Sequence, residues 1–330
     1  MKRGFQTILK SMLTVGAVAM SASAIAQNDA YPNRPINIVV GLSPGASSDS
    51  VAREVAKQLS VRLKVPVIVE NKPGANTIIA SNTVAKAKPD GYTLLLTNSM
   101  NTTNPSVQAS LPYDFKKDHE HIVLLAAAPN LMGSRSSLKE VRDIKSLIDY
   151  AKKNPGKYSY GSAGNGSIHH LLMEIIAERA GIKLNHIPYK GGGAAIQDLL
   201  AGNIDAYFGT ISSLQAHVKS GAVVPIFVTS AKRSDKMPKT ETLEEYGLKG
   251  LTSDYWLGLS GPAGMPKEVV AKINKEVNEI LKTPEVIKRF DELGVLPLGG
   301  TQQDMNKLFS DELVFWQAAA KAAGMTPANK

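Results

Sequence analysis

The sequence predicts an α/β protein of two lobes, each a mainly parallel sheet flanked by helices, joined by two crossover segments. Three observations lead to this fold class. Short apolar runs alternate with helical periodicity early in the chain, the alternation restarts in its middle, and the chain ends in helices without new strands. Such alternation is typical of parallel sheets, because a crossover helix must connect neighbouring parallel strands.

The first 26 residues have the pattern of a secretory signal peptide and are set aside from the fold. Three basic residues accompany an apolar run over 12–20, and small residues follow at 24–26. The run is far shorter than the ~20 residues that span a bilayer, which disfavours a membrane anchor. We therefore expect export, with cleavage near Ala26 and Gln27.

Charge and cysteine content limit the classes of ligand that the protein could bind. Removing the three basic residues of the leader lowers the net charge from +9 to +6, and the chain has no cysteine. A chain long enough for two domains buries ample core without disulfides. A modest positive charge without a dense basic run favours anionic small molecules over nucleic acid, and the export signal excludes a DNA-binding regulator.

The first lobe begins with a strand and an amphipathic helix. The helix places Val51, Val55, Leu59 and Leu63 four residues apart, which makes one buried stripe. Ser48 or Asp49 is expected to cap its start, since a short side-chain oxygen can accept from exposed backbone N–H groups. The strands predicted in this lobe cover 36–41, 67–69, 92–97 and 122–127.

The second lobe repeats the cycle of strand, loop and helix. A helix at 141–153 leads to the strand "KYSYGS", the loop "AGNGS" and the helix "IHHLLMEIIAERAG". The strand "KLNHIPY", the loop "KGGG", the helix "AAIQDLLAGN" and the strand "IDAYFGT" follow. Terminal helices are predicted at 266–281, 284–293 and 301–323, packed back on the first lobe.

Crossovers near 126–132 and 251–257 divide the chain. The predicted division is a signal peptide (1–26), a first part of lobe 1 (27–126), lobe 2 (127–252) and a return to lobe 1 with one strand and the terminal helices (253–330). Two lobes joined by two segments form a hinge, and the cleft between them is the expected site.

The loop "GLSPGASS" after the first strand lacks the chemistry of a nucleotide site. It has neither the lysine of a P-loop nor the three glycines of a dinucleotide fingerprint. Backbone N–H groups at a helix start, with nearby serine hydroxyls, form a generic anion site that suits a carboxylate. The loop in "GSAGNGSIHH" has the same features, and matched loops on facing lobes favour a binding protein over ordinary turns.

The whole mature chain resembles one family. The segments "YPNRPINIVVGLSPGASSDSVAREVAKQL", "PVIVENKPGANTIIASNTVAKAKPDGYTLLLTNS", "YSYGSAGNGSIHHL" and "HIPYKGGGAAIQDLLAGNIDAYF" are similar to the extracytoplasmic substrate-binding proteins of tripartite tricarboxylate transporters, the Bug family. The resemblance implies a two-lobed periplasmic-binding-protein fold, a periplasmic monomer without catalysis or cofactor, and delivery of a small carboxylate to an inner-membrane permease.

The resemblance also implies where the ligand binds. Residues 44–49 and 162–170 correspond by position to the family's two carboxylate-holding loops, and Asp49 is expected to be structural, since a carboxylate facing an anionic ligand would repel it. The expected ligand-binding residues are Ser43, Gly45, Ala46, Ser47, Ser48, Asn76, Thr77, Thr97, Asn98, Ser162, Asn165, Gly166, Ser167, His170, Tyr189, Gly209 and Thr210.

Departures from the family pattern bear on the ligand. Ala46, Asn76 and Thr77 stand where the family usually has glycines, and Gly209-Thr210 stands where it often has Asp-Asn. The loss of that acid disfavours amino acids and suits a second carboxylate. The aromatic candidates for a flat wall are Tyr92, Tyr189, Tyr207 and Phe208, although a position in the core is the commoner role of each taken singly. Terephthalate is therefore a candidate ligand beside C4 dicarboxylates and tricarboxylates.

Other constellations are weaker. His119 and His121 suggest a metal pair without a third ligand, and we expect them on a surface loop. His169 and His170 face about 100° apart on a helix, and we expect His170 toward the cleft. A secreted α/β hydrolase is the alternative function, but no nucleophile elbow is present. We expect no metal site and no catalytic residues.

Overall fold

The computed structural model describes residues 31–45, 47–189, 191–322 and 324–325, and its strands form two sheets. The expected signal peptide and its cleavage position lie outside the described residues. No helix in the described part of the chain is both long and apolar enough to cross a membrane.

The predicted alternation of strands and helices is present in both lobes. The strands are β1 (Ile36–Val40), β2 (Val67–Asn71), β3 (Thr93–Asn98), β4 (His119–Ala128), β5 (Asn130–Arg135), β6 (Ser159–Ser162), β7 (Asn185–Pro188), β8 (Ala206–Thr210), β9 (Val223–Val228), β10 (Tyr255–Pro262) and β11 (Leu296–Gly299). The helices are α1 (Ser47–Leu63), α2 (Ile78–Ala85), α3 (Met100–Val107), α4 (Phe115–Asp118), α5 (Ile144–Lys153), α6 (Ile168–Ala180), α7 (Gly192–Ala201), α8 (Ile211–Lys219), α9 (Lys267–Leu281), α10 (Pro284–Glu292) and α11 (Gln302–Ala322), with a 3-10 turn at Ala75–Thr77.

Both sheets contain the same arrangement of three parallel strands. The first has the strand order β11-β4-β10-β3-β1-β2 and the second β7-β6-β8-β5-β9. β1 pairs in parallel with both β2 and β3, and β6 pairs in parallel with both β7 and β8. In each sheet the strand that follows β1 or β6 lies on one side of it, and the next strand lies on the other side. Open α/β sheets bind ligands at the carboxyl end of a strand where the order reverses in this way.

Strands that cross between the lobes pair antiparallel. β4 belongs to the first sheet and continues into β5 of the second, while β10 returns to the first sheet between β3 and β4. Each sheet therefore combines a parallel unit of three strands with antiparallel strands. The expectation that the chain ends in helices without new strands is wrong, because β11 forms between the last two helices and pairs with β4. We keep 27–126, 127–252 and 253–330 as the proposed division of the mature chain.

The C-terminal helix α11 helps to bury the first sheet. Met305 and Phe309 of this helix join one apolar cluster with Val39 and Leu95 of the sheet, and all four side chains are at most 1% exposed. Burying a side chain of this size stabilises a fold by about 1.5–3 kcal/mol. The packing of α11 therefore fixes the sheet whose strand ends carry the first-lobe loops.

His119 and His121 lie in β4, and the expectation of a surface loop is wrong. Both are almost fully buried, because the ring of Phe115 stacks on His119 at 4.1 Å and Phe309 meets His121 edge-on at 4.6 Å. Burial lowers the pKa of each imidazole to about 4, so both are neutral core residues at neutral pH. Within the described residues, no group of three or more His, Asp or Glu side chains could hold a metal ion.

Candidate functional site

A cavity of ≈ 970 Å³ lies where loops from both lobes meet at the carboxyl ends of the parallel strands. The first lobe contributes residues 41–43 after β1 and the segment 73–78 after β2. The second lobe contributes 163–164 after β6, and Pro188 at the end of β7 with 189 and 191–193 after it. The volume is within the usual range of small-molecule pockets.

The described wall of this cavity carries no Asp, Glu, Lys or Arg side chain. Helices α2, α7 and α8 begin at the wall, and their N-cap residues are Thr77, Gly191 and Thr210. No side chain caps any of these three helix starts. The N–H groups of a first helical turn lack intrahelical partners and favour negative charge, so the wall is suited to an anion held by backbone dipoles.

The turn that leads into α2 has an unusual backbone. Ala75, Asn76 and Thr77 have φ angles of 47°, 51° and 71°, in the left-handed region that favours glycine. The turn also packs tightly on the end of β1, since a Cβ at Gly41 would lie 2.7 Å from the Cβ of Thr77. Such strain concentrates at functional sites. The hydroxyl of Thr77 is buried and makes no hydrogen bond within the described chain.

Asn76 connects the two lobes across the cavity. Its Nδ2 donates to the backbone oxygen of Asn165 over 3.3 Å, and its own backbone oxygen accepts from Asn104 Nδ2 at 2.9 Å. Asn165 therefore contacts the first lobe through its carbonyl group, and its side chain is not on the cavity wall.

Asp49 is buried beside the loop after β1 and lies off the cavity wall. Its Oδ2 accepts from the backbone N–H of Gly45 at 3.0 Å and from Arg53 Nε at 2.9 Å, while its Oδ1 accepts from Asn71 Nδ2 at 2.8 Å. Burial acts to raise the pKa of this carboxyl, but the three hydrogen bonds together hold the pKa below its usual value. Because Asp49 already binds the N–H of Gly45, that group is not free for a ligand, contrary to our expectation.

The loop after β6 is hydrogen-bonded within itself. Ser167 caps α6 by accepting from the N–H of His170, and the N–H of Gly166 donates to His170 Nδ1 at 3.2 Å. Ser162 shares a 2.7 Å hydrogen bond with His186, whose ring stacks on His170 at 3.7 Å. None of Ser162, Gly166, Ser167 and His170 lines the cavity wall. Their contact with a ligand, direct or through water, stays a prediction.

His169 takes the place on the wall that we expected for His170. The two rings point in different directions because neighbouring helical residues are rotated by about 100°. Here the rotation of α6 puts His170 against His186 and His169 against Phe208 and the cavity. Burial lowers the pKa of His169 to about 4, so its imidazole is neutral at neutral pH.

Thr97 and Asn98 lie behind the wall and are fully buried. Thr97 Oγ1 donates to Asn101 Oδ1 at 2.7 Å, and Asn98 Oδ1 accepts from the N–H of Met100 at 2.9 Å. These bonds hold the start of α3, from which Met100 reaches the cavity. Both residues therefore position the wall without forming it, which corrects their expected ligand contact.

Two of the four expected aromatic residues line the cavity. Tyr189 donates its hydroxyl to Asp198 at 2.6 Å, and Tyr207 lies with its ring over Gly209, where an added Cβ would be 2.4 Å from the ring. The space at Gly209 is thus filled by Tyr207 and is not open to a ligand. Phe208 and Tyr92 are off the wall: Phe208 is core, and the guanidinium of Arg34 covers the Tyr92 ring.

Sequence reasoning and the structure agree on part of the wall. The expected residues found on the wall are Ser43, Ser48, Asn76, Thr77, Tyr189 and Thr210. Ala46 and the side chain of Ser47 lie outside the described residues. The wall residues that sequence reasoning missed include His169, Gly191, Gly192, Gly193, Ser213 and Tyr255. The "KGGG" loop before a helix was an available signal for the three glycines, whereas nothing local marks Tyr255, which β10 brings to within 3.4 Å of Ser48.

Comparison with known proteins now identifies the family. The sequence model of the tripartite tricarboxylate transporter family receptor matches residues 51–325. The chain belongs to this receptor family. The protein BugT of Bordetella pertussis is 30% identical over 320 residues, which cover 96% of this chain and 98% of BugT.

Solved structures agree with this assignment. The R. palustris protein Rpa4515, solved with adipate, is 30% identical with a TM-score of 0.83, covering 90% of this chain and 99% of that one. MatC from Rhodopseudomonas palustris, solved with bound malate, is 26% identical with a TM-score of 0.78, covering 88% and 99%. The expected two-lobed fold of periplasmic binding proteins is confirmed. The family consists of receptors and not enzymes, which sets aside the hydrolase alternative.

Proposed function

We propose that this receptor captures a small dicarboxylate or tricarboxylate in the cavity between its lobes and delivers it, in the periplasm, to the permease of a tripartite tricarboxylate transporter. One observation carries the proposal. Three helix starts without side-chain caps surround a single cavity whose described wall has no acidic side chain. Such a wall attracts carboxylates without an ion pair.

The placement of these helix starts favours a ligand with more than one carboxylate. Thr77 belongs to the first lobe, whereas Gly191 and Thr210 belong to the second. A molecule with an acid group at each end can use both lobes together. Relatives of similar fold were solved with adipate and with malate, and both compounds are dicarboxylates.

An aromatic dicarboxylate such as terephthalate stays a candidate. Tyr189 and Tyr207 supply aromatic surface on the second-lobe wall, although Tyr92 and Phe208 do not contribute. An aromatic ring between two carboxylates would pack against these tyrosines while its ends reach the helix starts. C4 dicarboxylates and citrate are the other candidate ligands for the same cavity.

Calorimetry with the mature, ligand-stripped protein tests the proposal. The ligands are succinate, citrate, terephthalate and the monocarboxylate benzoate. We expect at least one di- or tricarboxylate to bind, and benzoate to bind at least tenfold more weakly, because losing a charge-assisted hydrogen bond costs about 1.5–3 kcal/mol. Equal affinity for benzoate and terephthalate would exclude recognition of a second carboxylate.

Closure is tested by solution scattering. The lobes already make a direct hydrogen bond through Asn76, and a ligand that contacts both lobes stabilises their approach by its additional contacts in the closed state. We expect a smaller radius of gyration with a saturating ligand. Identical scattering curves with and without ligand would count against capture by closure.

A further inference from the structure

A second contact joins the lobes beside the Asn76 bond, at the edge of the cavity. Gly166 in the second-lobe loop is buried although its neighbour Asn165 is exposed, and a Cβ added at Gly166 would lie 2.7 Å from Val107 Cγ2 in the first lobe. Gly166 also has a φ of 72°, which favours glycine. The backbone of the loop therefore packs directly against Val107, because no side chain stands between them.

Helix α3 supports both contacts from the first lobe. Asn104 and Val107 lie three residues apart and therefore share one face of this helix. Asn104 Nδ2 donates to the backbone oxygen of Asn76 at 2.9 Å, and Asn76 Nδ2 donates to the backbone oxygen of Asn165 at 3.3 Å. Both acceptors are carbonyl oxygens, which cannot donate, so the NH₂ group of each asparagine must face its partner. Two hydrogen bonds thus connect α3 through Asn76 to the second lobe.

These contacts lie between the cavity and the solvent. Gln108 and Gly164 line the cavity, whereas their neighbours Val107 and Asn165 do not. Asn165 is exposed to solvent on the other side of the contact. A ligand that leaves the cavity at this edge can do so only after the two lobes have separated here.

We propose that these contacts form an interlobe clamp, which sets how tightly and for how long the receptor holds every ligand without selecting among ligands. The clamp consists of Asn76, Asn104, Val107, Asn165 and Gly166. The inference rests on the proposed capture of carboxylates by closure of the lobes. A bond between two protein groups stabilises the closed state by the same amount whichever ligand is enclosed, and the apparent Kd rises as the closed fraction falls. Asn76 is therefore a positioning residue, which acts on the ligand through the lobes.

Two variants weaken the clamp, and each has a matched control. Asn76→Gly removes the Nδ2 donor but keeps the backbone oxygen that accepts from Asn104, and the φ of 51° suits glycine. Its control is Ala75→Gly in the same turn, where φ is 47° and no bond between the lobes is lost. Val107→Ala weakens the clamp at a residue that is off the cavity wall, and its control is Val61→Ala at a side chain that is 72% exposed.

The distance between the lobes is the readout that needs no ligand. The chain has no cysteine, so spin labels can be attached at Lys88→Cys and Lys157→Cys. Both lysines are exposed and precede the amino ends of β3 and β6, which point away from the cavity. In the ligand-free protein we expect Asn76→Gly and Val107→Ala to shift the label-to-label distances toward the open state, and both controls to match the wild type.

Calorimetry with succinate, citrate and terephthalate is the second readout. Loss of one hydrogen bond in Asn76→Gly should raise the Kd of every ligand that binds by the same factor, about two- to tenfold. Equal label distances in ligand-free wild type and Asn76→Gly would overturn the clamp. A Kd that rises for one ligand only would make Asn76 a ligand contact, and an equal loss in Ala75→Gly would assign the effect to the backbone of the turn; either result also overturns the proposal. If none of the three ligands binds, the proposed capture fails, whereas the label distances still decide the clamp.

Discussion

Replacing Asp49 by Asn tests whether this buried carboxylate supports the fold and not the ligand. The carboxylate accepts hydrogen bonds from Gly45, Arg53 and Asn71, and all three partners are donors. An asparagine keeps only one accepting oxygen and turns an NH₂ group toward at least one of these donors. A hydrogen bond to a charged group contributes about 1.5–3 kcal/mol, so we expect a loss of about 2–3 kcal/mol.

The assay is thermal unfolding, together with calorimetry of the best ligand. At about 1.6 °C per kcal/mol for a mature chain of roughly 300 residues, Tm should fall by roughly 3–5 °C. Affinity should change less than about threefold by this account, because Asp49 is off the cavity wall. Asp149→Asn removes the same charge from an exposed pair with Lys145 and should leave Tm nearly unchanged.

The pH dependence has a defined sign. Since the folded state holds the pKa of Asp49 below its usual 3.8, its stabilising contribution is complete above that pH and is lost as the pH falls through the lowered value. The Tm difference between wild type and Asp49→Asn should therefore shrink only below about pH 4. A hundredfold loss of affinity with unchanged Tm would refute the structural role.

Two further changes probe the hinge region and the cavity wall. Burial raises the pKa of Asp254 to about 6, so this carboxyl destabilises the fold increasingly as the pH rises from about 4 to about 6, and by a constant amount above that. Asp254→Asn should raise stability by about 3 kcal/mol at pH 8, at about 1.4 kcal/mol per pKa unit, and by almost nothing at pH 4. A stability difference between variant and wild type that is equal at both pH values would contradict this. Gly209→Ala should lower both Tm and ligand affinity, because the added Cβ would meet the Tyr207 ring. The control Gly193→Ala has no atom within 4 Å of its added Cβ and should change Tm by less than about 1 °C. A Gly209→Ala protein that binds like wild type would show that Tyr207 is free to move.

The sequence by itself determined the architecture. Short apolar runs and a helical periodicity of 3.6 residues, with Gly and Ser at the turns, predicted β1 and α1 and the repeated unit around β6, because such patterns depend on neighbours a few residues away. The loop segments resembled one receptor family over the whole mature chain, and the family match confirms that resemblance. The wall positions of Ser43 and Thr77 followed from the same reasoning.

Only the tertiary structure decided which side chains face the cavity. His169 reaches the wall and His170 does not because of how α6 is rotated on its sheet, and the bond from His169 to Asn130 joins residues 39 positions apart. Tyr207 fills the space over Gly209, and Tyr255 arrives on a strand 207 residues from Ser48. Local sequence patterns specify that a helix or strand forms, but its rotation and its distant partners depend on packing against the rest of the chain, so these contacts had no local signal.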